Sequence, residues 1–158
     1  MEPKYKDLYR VVGTVIIYRP DGKFLITKRS ATRKVFPGKW TVPGGGLEEN
    51  DYKDSKPTSF GQWYGVLDKA LRREIKEEVN LEIGKMDYLL DLVFVRPDGI
   101  PVVTLSFYAP FISGEVVLND ESSNFAWIKA SEAKKYDLIE GIDDEIAQVD
   151  KLLRTRSA

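Results

Sequence analysis

Three glutamates are concentrated in one short stretch of the sequence. Glu74, Glu77 and Glu78 have the i, i+3 and i+4 spacing that places side chains on one face of an α-helix. Like charges four residues apart destabilise a helix by roughly 0.2–0.5 kcal/mol per pair, and late in a helix the dipole also disfavours negative charge. A divalent cation would offset both effects. The spacing therefore indicates a metal site, although a solvated, charged helix face would have the same pattern.

The residue types that the sequence lacks narrow the chemistry of such a site. It contains no His and no Cys, which excludes zinc and blue-copper sites and nucleophilic catalysis by Ser-His or Cys-His pairs. Oxygen ligands select hard cations such as Mg²⁺, Mn²⁺ or Ca²⁺. Acid–base chemistry is left to carboxylates, Lys, Tyr or metal-bound water. A chain without disulfides is most simply expected in the cytoplasm.

The overall composition is that of an ordinary soluble globular protein. The 158 residues fit a single domain over 1–158, and 24 Lys plus Arg against 25 Asp plus Glu give a net charge of −1. This balance does not favour binding to nucleic acid or to a membrane. The polar N-terminus has no signal-peptide pattern, and no segment reaches the roughly 18 apolar residues of a transmembrane helix.

Hydrophobic periodicity predicts the elements that would position the glutamates. Strands are predicted at 11–18, 24–27, 40–42, 88–95, 102–109, 115–118 and 125–128. One helix is predicted from about Gly61 to Val79, with Asn80 as its left-handed end, and Ser131 is a candidate N-cap of a short helix. A terminal helix is predicted at 143–153, with a buried face formed by Ile146, Val149, Leu152 and Leu153. The pattern indicates an α/β (α+β) sandwich with a mixed sheet.

A glycine-rich segment at 43–46 follows the short third strand, and such a segment lets the backbone approach a ligand closely. Together with the glutamates it resembles the signature of the Nudix family, G-x5-E-x7-R-E-U-x-E-E-x-G-U, where U is a bulky aliphatic residue. Gly45 matches the opening Gly, residues 73–78 match R-E-U-x-E-E at every position, and Leu81 matches the closing aliphatic. The resemblance covers roughly residues 10–135 and implies a Nudix-type α/β/α sandwich with a mixed central sheet.

The sequence departs from this signature between the opening Gly and the Arg. The segment is about 14 residues longer than the pattern, which places an insertion at about 52–65. Counting forward from Gly45, the first Glu of the signature falls on Asp51, whereas counting back from Arg73 it falls on Gly65. Asn80 replaces a Gly, a mild change because both tolerate the left-handed conformation. The candidates for the role of the first Glu are Glu48, Glu49 and Asp51.

The resemblance implies roles for individual residues. Glu74, Glu77 and Glu78 would bind Mg²⁺ (or Mn²⁺) with the Gly45 carbonyl, and Arg73 would orient Glu77. Glu121, six residues before Trp127, would supply a further metal ligand or a general base, the alternative being an exposed loop carboxylate. Arg29 would contact a substrate phosphate, the alternative being a surface arginine.

The insertion contains three aromatic residues, Phe60, Trp63 and Tyr64. One hypothesis is that Trp63 and Tyr64 bind substrate as part of a lid that stacks on a nucleobase, since such stacking contributes about 1–3 kcal/mol per base. The alternative is the start of a helix that is buried against the core.

The implied function is a Mg²⁺-dependent pyrophosphohydrolase of a nucleoside triphosphate or a related nucleoside diphosphate derivative. One alternative is an ADP-ribose or nucleotide-sugar pyrophosphatase, to which Pro97 is a weak pointer because a hairpin turn also explains it. Another is a non-catalytic nucleotide-binding regulator, which would usually lack the signature carboxylates. Isopentenyl diphosphate isomerase shares the fold, but its chemistry requires a Cys. The expected partner is a small nucleotide substrate, without nucleic acid or membrane, and the family also suggests a homodimer.

Overall fold

The computed structural model of the protein describes residues 5–156, in which four strands precede each of the two α-helices. The strands are β1 (Arg10–Tyr18), β2 (Phe24–Arg29), β3 (Trp40–Thr41), β4 (Gly44–Gly46), β5 (Glu82–Ile83), β6 (Asp87–Val95), β7 (Pro101–Ser113) and β8 (Ser122–Ile128). The α-helices are α1 (Val66–Val79) and α2 (Ile142–Arg156). Short 3-10 helices occur at Tyr5–Asp7, Glu49–Asp51 and Ala130–Lys135.

The strands form one mixed sheet around β1. Strand β1 pairs in parallel with β7 along its whole length, and antiparallel with β2 and with β4. The main path runs β3-β2-β1-β7-β5, while β4 pairs with β1, β6 with β7 and β8 with β2. The mixed sheet is therefore confirmed, but the segment at 43–46 is more regular than predicted, because its glycines form a strand.

The two α-helices cover opposite faces of this sheet. Alternate residues of β1 enter different cores, Val15 and Ile17 on the α1 side and Ile16 on the α2 side. Leu71 and Ile75 of α1 complete one core, and both are almost fully buried. The predicted α/β/α sandwich is confirmed. Among residues 5–156, no helix is long and apolar enough to cross a membrane.

Helix α1 begins later than predicted and ends where predicted. Gly61 and Gly65 have φ values of 74° and 70°, and such left-handed residues interrupt a helix. The helical hydrogen bonds therefore start only after Gly65, which corrects the predicted start near Gly61. At the other end Asn80 has φ 60° and ψ 34°, so the predicted left-handed cap is confirmed.

Three further details differ from the sequence-based expectations. Residues 115–118 form no strand, because Val117 donates its N–H to the Val79 carbonyl and covers the end of α1 instead. Ser131 lies inside the 3-10 helix, whose cap is Lys129. The terminal helix is confirmed, with Ile146 and Val149 buried, but Leu152 is 40% exposed rather than buried.

Candidate active site

The glycine strand β4 lies directly against α1 and brings backbone atoms to two of the glutamates. Gly44 donates its N–H to Glu78 Oε2 at 3.2 Å. A Cβ on Gly45 would stand only 2.4 Å from the carboxyl carbon of Glu74. This close approach is available only to a residue without a side chain, so the pairing of β4 with β1 fixes the Glu74 and Glu78 carboxylates against the sheet.

Glu78 is the most buried of the three glutamates at 74–78, with 6% of its surface exposed. Its Oε1 accepts a hydrogen bond from Ser122 Oγ at 3.3 Å. The pKa of Glu78 is raised to about 7, chiefly by burial and also by the charges of Glu121 and Glu74, which together outweigh the hydrogen bonds from Gly44 and Ser122. Buried carboxylates that repel one another in this way create a region of negative potential that a cation would relieve.

Glu74 shares this environment. Burial is the main reason that its pKa is raised; the Arg73 charge and hydrogen bond oppose the shift, and Glu121 and Glu77 add to it. Glu77 differs, because its side chain is 55% exposed and pairs with Arg73 Nη1 at 3.0 Å. The predicted contact between Arg73 and Glu77 is therefore present.

Arg73 connects several carboxylates. Its Nε donates to Asp51 Oδ1 at 2.8 Å, and its Nη1 lies 3.1 Å from Glu74 Oε1. Its pKa is raised chiefly by the hydrogen bond to Asp51, against the effect of burial. Such a planar, forked cation can fix the orientation of several carboxylates at once.

Asp51 is the candidate for the first Glu that contacts Arg73. Its side chain is only 4% exposed, and its Oδ2 accepts the Glu48 N–H at 2.8 Å. Burial raises its pKa, but the Arg73 hydrogen bond and the Glu48 N–H outweigh burial, and the net pKa is lowered. Glu49 pairs instead with the exposed Lys53. Counting forward from Gly45 thus leads to the candidate that contacts Arg73, and its role as the first Glu stays a prediction.

Glu121 lies in the loop before β8 and is tied to the loop after β2. Its carboxylate pairs with Arg33 Nη1 at 3.1 Å, and its carbonyl accepts the Ser30 N–H at 2.9 Å. Because its charge raises the pKa of both Glu74 and Glu78, it belongs to the same negative region.

The carboxylates do not yet form a coordination sphere. In the described part of the chain, 5–156, no three acidic side chains are placed to hold one ion together. Glu77 faces Arg73, and Glu78 is engaged by Gly44 and Ser122. Coordination by the three glutamates, the Gly45 carbonyl and Glu121 therefore stays a prediction. The chemistry of the donors fits a hard cation, since all are oxygens and the buried ones raise one another's pKa.

A cavity of about 470 Å³ opens beside Glu78 and the glycine strand. Four arginines line it, and an aromatic pair, Phe36 and Phe94, lines it with ring centroids 5.9 Å apart. The start of α2 contributes Ile142 and Glu145. The arginines are Arg10, Arg29, Arg33 and Arg96.

Arg29 is the only one of these arginines that the sequence singled out. Its Nε donates to the Val35 carbonyl at 2.8 Å. Burial lowers the pKa of Arg29, the Arg33 charge lowers it further, and the charges of Glu78 and Glu121 oppose the shift, so Arg29 interacts with both the neighbouring arginine and the site carboxylates. Alternation along β1 places Arg10 on the same face as Val12 and Thr14, which line the cavity. Arg10 was not identified from the sequence because the strand was predicted to begin one residue later, at Val11.

Trp63 and Tyr64 are not brought to this cavity. Trp63 packs against Tyr52 with ring centroids 5.3 Å apart and donates its Nε1–H to the Ser55 carbonyl. Tyr64 is 68% exposed and donates its hydroxyl to Gln62. Both precede the first turn of α1, so the alternative of a buried helix start is also wrong. The insertion packs on itself, and the substrate-binding role of these two residues has no support in this geometry.

The sequence of this protein matches a known family model and known relatives. The family model described as NUDIX domain matches residues 8–149. Over 128 residues the chain is 33% identical to the nucleoside triphosphatase NudI of Klebsiella pneumoniae (strain 342), a match that covers 75% of this chain and 81% of that protein. NudI of Salmonella newport (strain SL254) is 30% identical over the same shares.

Solved structures share the fold. The MutT protein from Methanosarcina mazei Go1 has a TM-score of 0.69 at 21% identity, over 90% of this chain and 94% of that one. The MutT NUDIX hydrolase from Burkholderia pseudomallei has a TM-score of 0.68 at 23% identity, over 90% and 98%. The family match over most of the chain, together with the close NudI relatives, shows that this protein belongs to the NUDIX domain family and is a MutT-like Nudix hydrolase.

Proposed function

We propose that this protein is a Mg²⁺-dependent pyrophosphohydrolase that cleaves nucleoside triphosphates. The observation that carries the proposal is the cavity in which four arginines lie beside the buried Glu78 and the glycine strand. Guanidinium groups bind phosphate oxygens through paired hydrogen bonds, so the arginines suit a chain of phosphates. The nucleoside triphosphatase activity in the name of the 33% identical NudI relative supports the choice of substrate.

The phosphates are proposed to lie at the end of the cavity nearest Glu78. Arg29 and Arg33 are electrostatically coupled to one another and to the carboxylates there. A phosphate chain bound between these arginines would reduce the repulsion between their positive charges. It would also bring its own negative charge close to the glutamates. That charge requires a cation between the two sets of anions, which the oxygen donors of Glu74, Glu77, Glu78 and the Gly45 carbonyl would hold.

The bound Mg²⁺ would neutralise phosphate charge and lower the pKa of an attacking water. The protein's own residues then determine position and proton transfer. We assign Glu121 as the group that accepts the water proton, because it lies with Glu74 and Glu78 yet remains about one-third exposed. Arg33 holds its carboxylate in place, and Arg73 does the same for Glu74 and Glu77.

The test is product release with Mg²⁺ across a substrate panel, resolved by chromatography. The panel contains nucleoside triphosphates, 8-oxo-dGTP, ADP-ribose, other nucleotide sugars and diadenosine polyphosphates, with Glu77→Gln measured in parallel. Turnover of triphosphates that requires Mg²⁺ and falls sharply in Glu77→Gln supports the proposal. Preference for ADP-ribose or a nucleotide sugar replaces it with that activity, and nucleotide binding without any turnover indicates a regulator.

Glu121→Gln is expected to lower kcat by about 10²-fold with little change in KM, because a neutral amide cannot accept the proton. Steady-state kinetics at fixed Mg²⁺ measure the effect. Asp120→Asn is the matched control, since Asp120 is exposed and uses its carbonyl, not its carboxylate, to accept the Ser30 hydroxyl. An unchanged kcat in Glu121→Gln would show that Glu121 is only a loop carboxylate.

Gly45→Ala is expected to lower kcat/KM at least about tenfold with a small change in Tm. Its Cβ would displace the flexible Glu74 carboxylate, 2.4 Å away, rather than the backbone. Gly44→Ala is the comparison, because its Cβ would stand 2.2 Å from the Gly13 carbonyl oxygen and must distort the sheet. Steady-state kinetics and thermal melts of both variants should show a larger loss of Tm in Gly44→Ala. A larger Tm loss in Gly45→Ala than in Gly44→Ala would contradict this account.

A further inference from the structure

Glu145 is a buried carboxylate that the metal site does not explain. It lies in the first turn of α2, is 5% exposed and lines the cavity. Within the described residues its Oε1 has no hydrogen-bond partner, and no neighbouring charge shifts its pKa. Leaving a buried carboxylate oxygen without a donor is costly, so its presence in a residue that lines the cavity points to a ligand that supplies the missing donor.

The sheet under Glu145 changes from apolar to polar side chains along β1 and β7. On the α2 side, β1 and β7 carry the apolar Ile16 and Tyr108, and further along they carry Thr14 and Ser106, which are paired across the two strands. Ser106 lies close enough to moderate the raised pKa of Glu145, which burial causes, yet its own hydroxyl has no hydrogen bond of good geometry. Glu145, which lines the cavity, and Ser106, which is fully buried in the sheet, therefore each leave a side-chain oxygen without a hydrogen-bond partner among the described residues.

The same cavity also has an aromatic wall. Phe94 lies on β6, and Phe36 reaches it from the loop after β2. Phe36 has φ 50°, which is unusual for a bulky residue, and it remains 39% exposed. A planar aromatic ligand can pack on such side chains, as nucleobases do in other proteins. The cavity thus combines arginines for phosphates, an aromatic wall and one buried hydrogen-bonding carboxylate.

We propose that Glu145 reads the nucleobase of the substrate and selects guanine. The two carboxylate oxygens would accept hydrogen bonds from the adjacent N1–H and N2–H groups of guanine. Adenine and cytosine present a donor next to an acceptor, and the acceptor would face a carboxylate oxygen without a proton between them. The proposal rests on the proposed triphosphatase function, since it requires the phosphates at the arginine end of the same cavity.

The experiment pairs a change in the protein with a change in the base. GTP and ITP, and their deoxy forms, differ only in the 2-amino group that donates the second hydrogen bond. Wild type is expected to prefer GTP over ITP by at least about tenfold in kcat/KM, mainly through KM. Glu145→Gln is expected to reduce that preference to less than about threefold, because its amide N–H would face the guanine donor. Asp144→Asn changes the neighbouring exposed carboxylate of α2, which does not line the cavity, and should keep this preference.

Several outcomes would overturn the proposal. Equal loss on GTP and ITP in Glu145→Gln would show a structural role, as would a Tm well below that of wild type. A wild-type preference for ATP or CTP that survives Glu145→Gln would show that Glu145 acts as a neutral acid, for which glutamine is the close mimic. If triphosphates are turned over without any dependence on Glu145, this inference fails and the proposed function stands. If wild type turns over no triphosphate, the proposed function fails, and calorimetric binding of GTP and ITP to the same variants decides the inference.

Discussion

Glu78→Gln is expected to lower Mg²⁺-dependent turnover by at least about 100-fold. Glu78 is the most buried of the site carboxylates, and both of its oxygens already contact the residues that surround the site, Gly44 and Ser122. An amide can keep both contacts, because its oxygen can accept the Gly44 N–H and its N–H can donate to the Ser122 hydroxyl, but it carries no charge for a cation. Steady-state kinetics over a range of Mg²⁺ concentrations measure the loss, and Glu82→Gln, an exposed glutamate paired with Lys76, is the control.

The same substitution is expected to stabilise the metal-free protein. The folded-state pKa of about 7 lies above the ordinary value of 4.5, so ionised Glu78 disfavours folding as pH rises from 4.5 through about 7. Removing the charge should therefore raise the free energy of unfolding by a few kcal/mol at pH 8, and by almost nothing at pH 4. The increase in Tm that Mg²⁺ gives the wild type should also disappear. The measurement is chemical denaturation of both proteins at pH 8 in the presence of a chelator that removes Mg²⁺. A Glu78→Gln variant less stable than wild type under these conditions would contradict this role.

The local part of the site was readable from the sequence because helix geometry fixes it. The i, i+3, i+4 spacing identified the glutamates, and the same periodicity gave the contact between Arg73 and Glu77 that the structure contains. Asn80 was recognised as the end of α1 because few residues other than glycine accept its backbone conformation. Each of these inferences depends on residues within one or two turns of one another.

The remaining features depend on contacts between distant segments. Arg33 and Glu121 are 88 positions apart, and no local pattern links them. Residues 115–118 have the composition of a strand, but their hydrogen bonds go to the end of α1, which a propensity scale cannot register. Glu145 did leave a signal: it lies four residues before Val149 and therefore on the buried stripe of α2, where a carboxylate is unexpected.

Arg73→Met is expected to reduce the free energy of unfolding by about 3 kcal/mol, and by more than Asp51→Asn does. The difference follows from the burial of the two partners. Without Arg73, the almost completely buried Asp51 carboxylate keeps the Glu48 N–H and the weaker influence of the Lys69 charge. Without the Asp51 charge, Arg73 is still one-third exposed and keeps Glu74 and Glu77. Chemical denaturation at pH 7 measures both values.

The double variant gives this prediction its sharpest form. Asp51→Asn combined with Arg73→Met removes the charge that Arg73→Met alone leaves buried, so it should be more stable than Arg73→Met by itself. Lys76→Met is the control for loss of a cation on α1, because Lys76 is half exposed and pairs with the exposed Glu82. Its effect should remain within about 0.5 kcal/mol. Additive losses at Asp51 and Arg73 would instead mean that the two residues stabilise the protein independently. Asp51 would then not hold the position of the missing glutamate through its pairing with Arg73.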